Sequence, residues 1–151
     1  MANTQAMCTS FKTELLNGIH AFGTTVVRGA TTKDTFNGAL YLASATINAS
    51  TTAYSATGEV GNSGTYSAGG SAITNANAPA NSGTTAYWTP SASLSWSSFS
   101  ATAFDTLLVY NATQSNKAVS VHTFGSQTIV SGTFTLTMPT NDSTNALIRI
   151  A

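Results

Sequence analysis

The chain has 151 residues, no net formal charge and only 7% Asp, Glu, Lys and Arg, where a soluble domain carries about 25%. Its basic residues, dispersed as Lys12, Arg28, Lys33, Lys117 and Arg149, make no phosphate-binding patch, which excludes a nucleic-acid partner. So low a charge also argues against a freely dispersed enzyme or cytosolic monomer.

With 42% hydrophobic residues the chain can still bury the core of one domain. Ser, Thr, Asn, Ala and Gly supply more than half of it, the mix of a neutral, hydroxyl-covered β protein that contacts other protein. The single cysteine, Cys8, rules out an internal disulfide framework and a cysteine zinc site. Met1 to Ala6 lack a basic run followed by an apolar one, so no secretory signal is expected. No stretch reaches the ~18 apolar residues of a membrane-spanning helix, so no membrane partner is expected either. Asn-x-Ser/Thr triplets at Asn48, Asn111 and Asn141 are chance matches in a chain this rich in Asn, Ser and Thr.

In chain order, Met7, Phe11, Leu15 and Ile19 recur at steps of four, with Leu16 and Phe22 widening the stripe. The pattern predicts a short helix from Thr9 to about Asn17, capped by Thr9 or Ser10 and stopped at Gly18 or Gly23. Thr24 to Arg28 is β-branched and leads into the sheet region. Lys33 to Thr35 reads as a turn before a strand from Phe36 to Ala43 that is apolar on both faces, hence interior. Short strands are expected near Thr57–Val60 and Thr65–Ala68, and a fragment at Ala72–Ile73 followed by a long surface loop to Thr84. Trp88 and then Pro90 precede Ser91 to Ser97, where Ala92, Leu94 and Trp96 alternate with serines.

Four strands close the chain, at Thr106–Tyr110, Ala118–His122, Gly132–Met138 and Ala146–Ile150. Turn signals separate them, among them Gly125-Ser126 and Ser131-Gly132. The fold expected is mainly β, a β-sandwich or jelly roll with one short N-terminal α-helix. It would form a single domain, residues 1–23 as the helical segment and 24–151 as the sandwich.

Chemistry is sparse. His20 and His122 are the only candidate general bases, and no Gly-x-Ser-x-Gly element accompanies them. The carboxylates are scattered, with Asp34 and Asp142 read as turn formers and no convergent pair for glycoside hydrolysis or calcium. The glycines around Gly58 to Gly70 lack the Lys-Ser/Thr of a phosphate loop. The residues therefore predict no catalytic residue, no metal, no cofactor and no enzymatic activity. Trp88, Trp96, Tyr54, Tyr66, Tyr87 and Phe99 read either as core or as a sugar-stacking surface. Candidate contacts are the stripe Met7, Phe11, Leu15, Ile19 and Phe22, as an interface arm or as a lid on the sheet, and the loop set Asn75, Asn77, Tyr87 and Trp88.

The run Met-Cys-Thr-Ser-Phe-Lys-x-Glu-Leu-Leu-x-Gly-x-His-x-Phe, Met7 to Phe22, resembles the opening of a family of small proteins from structural modules of tailed bacteriophages. The stretches Ala39 to Thr46, Tyr54 to Val60, Tyr66 to Gly70, Asn116 to Val119 and Ala146 to Ile150 fit the same family. The resemblance implies a virion component made in the host cytoplasm, and it carries no catalytic residues. The expected function is that of a capsid decoration (cement) protein, a homotrimer bridging major capsid subunits. The alternatives are a tail, collar or fibre-attachment component and a host-glycan-binding module.

Overall fold

A computed structural model describes residues 3–8, 10–11, 15, 19–22, 33–74, 76–83 and 85–150. The protein is mainly β, as its alternating apolar residues predict, and is built of two antiparallel sheets. The strands are β1 (Ala6–Met7), β2 (Phe36–Leu42), β3 (Ser71–Ala72), β4 (Ala80–Ser82), β5 (Thr85–Trp88), β6 (Leu94–Asn111), β7 (Lys117–Leu136) and β8 (Ile148–Ile150). The larger sheet runs β1-β7-β6-β2-β3 and the smaller β4-β5-β8. The expected N-terminal helix, Thr9 to Asn17, and the lead-in Thr24 to Arg28 lie outside the described residues, apart from Ser10, Phe11 and Leu15. Met7, placed in the helical stripe by its spacing, instead belongs to β1 and pairs with Ser120. Cys8 continues that pairing by donating its amide to the Val119 carbonyl at 3.3 Å.

The sheet is built on β6 and β7, a hairpin of 18 and 20 residues joined by a turn at Ala112 to Asn116. Asn111 shapes the turn, its Oδ1 accepting the amides of Thr113 and Gln114, both at 3.1 Å. Each long strand fuses two of the strands that the sequence predicts. Gly125 and Ser131, which read as turns, have φ of 74° and 47° and sit within β7. Ser98 and Ala103 of β6 match them with φ of 52° and 51°, and pairing shifts register repeatedly between Trp96 and Thr106. Each irregularity adds a bulge and bends the ribbon without ending it. The bend brings Leu94 back to the sheet face at Gly38, where a side chain on Gly38 would lie 2.8 Å from the Leu94 methyl.

Strand β2 pairs with β6 from Phe36↔Asn111 to Leu42↔Phe104. Directly paired residues share a face, so Gly38, Val109 and Ser120 lie on one side and Ala39, Leu108 and Val121 on the other. The first side meets the small sheet and the N-terminal segment: Phe22 stacks on Phe36 at 4.8 Å, and Trp88 lies 4.9 Å from Phe22 and 6.0 Å from Phe36. The loop from residue 43 to 70 covers the other side, its Tyr54 ring stacked on Tyr110 at 4.8 Å. Under the curl of the ribbon, Trp96, Phe99, Phe104 and Phe134 form an aromatic core joined by Tyr66 and Phe124.

The predicted strands at Thr57–Val60 and Thr65–Ala68 reduce to single bridges, Tyr41↔Glu59 and Ser63↔Tyr66. The predicted surface loop to Thr84 contains β4, which pairs with β5. Ala80–Ser82 has no apolar anchor to betray it, since all three residues are exposed.

Candidate functional site

The expected contact residues divide sharply. Phe11 is fully buried, while Met7, Leu15 and Phe22 are half-buried against the chain's own core. Phe11 touches His20 and Phe22 edge-on at 4.8 and 5.9 Å, and Ile19 beside them is half-buried. These aromatic contacts lie within one chain.

Asn75 lies outside the described residues. Asn77 donates its amide to the Thr89 carbonyl at 2.8 Å and its own carbonyl accepts the Trp88 indole N–H at 2.9 Å, fastening the loop to β5. Trp88, expected as a surface contact, is 2% exposed and belongs to the core, because Phe22 and Phe36 pack on its ring. Tyr87 is half-buried beside a small apolar hollow that it lines with Pro79 and Ile150. Trp96, Tyr66 and Phe99 are also buried, leaving Val130 and Ile150 as the exposed large hydrophobic residues among those described. No aromatic platform for sugar stacking is present among them.

Asp34, read as a turn former, is buried. Its carboxylate accepts the Ala21 amide at 3.1 Å, the Asn111 side-chain amide at 2.8 Å and that of Gln114 at 3.3 Å. Asn111 also contacts His20 Nδ1 at 3.0 Å, so this cluster ties the N-terminal segment to the hairpin turn. Asp142 is the turn former that the sequence suggests. It accepts the amides of Thr144 and Asn145 and the Asn145 side chain, and these bonds hold its carboxyl below the usual range.

Glu59 is the residue whose setting spacing could not supply. Tyr54 donates to one of its oxygens at 2.6 Å, and Tyr66 and the Gly69 amide donate to the other at 2.8 and 2.7 Å. Burial, followed by the hydrogen bond and charge of Glu59, pushes the Tyr54 phenol well above its usual range. Tyr66 is raised chiefly by burial, with Glu59 again adding. Tyr110 joins the group by donating to the Gly69 carbonyl at 2.6 Å.

His122 sits inside β7, not at a strand end as its neighbours suggested. Its Nε2 lies 2.8 Å from the Ser120 hydroxyl, as residues two apart on one strand face should. Burial pushes the imidazole down to about 4, so it is neutral at pH 7. Both residues line a cleft of about 570 Å³ at the margin between the sheets, with β1 on one wall and Leu147 to Arg149 on the other. Among the described residues that line the cleft there is no carboxylate to orient the Ser–His pair as in a triad. Among the described residues no three His, Cys, Asp or Glu side chains gather as a metal site, and no helix is long and apolar enough to cross a membrane.

Comparison with family models, with curated proteins and with solved structures gave no match.

Proposed function

We propose that this chain is a non-enzymatic structural protein of a bacteriophage particle, a capsid decoration protein that bridges major capsid subunits. The carrying observation is the outer surface of the β6–β7 ribbon. Ser95, Ser97, Ser100, Thr128, Thr133 and Thr135 are exposed along it, and Val130 stands 80% exposed among them. From Ala118 to Asn141 the sequence contains no Asp, Glu, Lys or Arg. Beyond Val121 the outer edge of β7 has no paired strand among the described residues. Sheet edges left open to solvent are normally guarded by Lys, Pro or inward charges. An uncharged hydroxyl surface with an open edge suits repeated contact with a neighbouring subunit through backbone pairing and apolar burial. The likeness of Met7 to Phe22 to phage structural-module proteins supports the same reading.

The test is co-sedimentation of the purified protein with particles that lack it, followed by imaging of the labelled protein. Attachment over the whole head, equal at low and high salt, is the expected result, because few charges leave little for ions to screen. Val130→Lys should abolish attachment while leaving the circular dichroism spectrum intact. Release by moderate salt, or signal confined to the tail or one vertex, overturns the assignment.

A further inference from the structure

Tyr54 lies in the loop over the sheet and Tyr110 in β6, and their rings stack at 4.8 Å with 24° between the planes. Their hydroxyl ends meet at one node. Tyr54 donates to one Glu59 oxygen at 2.6 Å, and the other Glu59 oxygen accepts the Gly69 amide at 2.7 Å. The Gly69 carbonyl in turn accepts the Tyr110 hydroxyl at 2.6 Å. The two phenols therefore lie head beside head, with the carbons ortho to their oxygens at the same end of the stack. Tyr66 also donates to Glu59, but its ring meets Trp96 and Phe99 edge-on rather than another phenol. Tyr54 is half-buried and Tyr110 buried, so an oxidant in solution meets Tyr54 first.

From this geometry we propose that Tyr54 and Tyr110 are an oxidative cross-linking site, with Glu59 as proton acceptor, which a one-electron oxidant converts to a dityrosine. Burial, with the hydrogen bond and charge of Glu59 adding, keeps the Tyr54 phenol protonated at pH 7. Its electron therefore leaves together with its proton, and Glu59 lies within the distance for that transfer. The phenoxyl radical carries much of its spin on the ortho carbons. A bond forms between an ortho carbon of Tyr54 and one of Tyr110, and a second equivalent of oxidant removes another electron. Both ortho hydrogens leave as protons, and Glu59 returns its proton to the Tyr54 oxygen, which restores both phenols. The product has lost two hydrogens and fastens the covering loop to β6 covalently. The site goes beyond the virion assignment and does not rest on it.

The experiment illuminates the full-length protein with a ruthenium tris-bipyridyl complex and persulfate, a source of one-electron oxidant. Expected is a monomer lighter by two hydrogens, whose digest links the peptide holding Tyr54 to the one holding Tyr110. Tyr54→Phe should abolish that linked peptide, and Tyr87→Phe should leave its yield unchanged. Glu59→Gln should slow its formation about tenfold at pH 7, with circular dichroism checking that the fold is kept. Formation in the unaltered protein should also slow in deuterium oxide, a readout that needs no variant. Links among other tyrosines, cross-linked dimers in place of the linked monomer, an unchanged rate in a folded Glu59→Gln, or no isotope effect overturns the proposal.

Discussion

Tyr66 donates its hydroxyl to Glu59 at 2.8 Å while accepting the Leu40 amide at 2.9 Å. One phenol oxygen thereby joins strand β2 to the loop that covers it, and the carboxylate it serves takes all three of its hydrogen bonds from neutral donors. Removing that oxygen leaves the Leu40 N–H without a partner and takes one donor from Glu59. Tyr66→Phe should therefore cost about 1–3 kcal/mol, the range for a buried polar group left unsatisfied. Urea unfolding followed by tryptophan fluorescence measures it directly, since Trp96 packs 5.5 Å from the Tyr66 ring. An unchanged midpoint would refute the bridging role.

Stability should fall at both ends of the pH scale, for opposite reasons. Tyr41, Tyr54 and Tyr66 have folded pKa values raised above their usual 10, in each case chiefly by burial. A raised value favours the protonated form, so its contribution is complete below pH 10 and is lost as pH climbs through the folded values. Phenolate absorbance should accordingly rise for these residues only as the sheet unfolds. His122 is shifted the other way, from 6.5 to about 4 by burial. Its contribution is complete above pH 6.5 and drains away as pH falls to 4, an upper figure of about 3 kcal/mol for the shift. His122→Gln should flatten the acid limb of a stability-against-pH curve. A curve that keeps its slope would mean that other groups govern acid unfolding.

Two glycines make a paired test of backbone fit. Gly70 has φ of 73°, and a Cβ there would lie 2.0 Å from the Gly38 carbonyl oxygen in β2. Gly61 has nothing within 4 Å of the same atom. Gly70→Ala should destabilise by well over about 1 kcal/mol, since both the backbone conformation and the space oppose it. Gly61→Ala should be close to neutral. Thermal melts of the two variants decide the matter, and equal shifts would contradict the close approach of the loop to β2.

Strand positions were legible where apolar side chains alternate with polar ones, as at Phe134 and Leu136, or occupy both faces, as at Phe36 to Leu42. The joining of neighbouring strands was not. Gly125, Ser131 and Gly132 have turn chemistry, and only the pairing partner decides whether such residues reverse a chain or bulge it. The small sheet was hidden for a different reason: Ala80–Ser82 buries nothing and gains its place from hydrogen bonds to β5. Asp34 looked like a surface turn because its acceptors are filled from residues far along the chain, Asn111 and Gln114. Glu59 and its tyrosines lie within a short stretch of sequence, yet no spacing rule marks three neutral donors converging on one carboxylate. For Ser120 and His122 the period-two rule places both on one face, but not the cleft beside them.

The first and last strands, β1 and β8, stand on the walls of the same cleft. The last described strand thus comes back beside the first. In such an arrangement the order of strands along the sequence is separable from their order in space. The chain could be opened at exposed Gly61 and Asn62 without breaking a paired strand. A label placed beside β1 or β8 would therefore report on one and the same margin of the molecule.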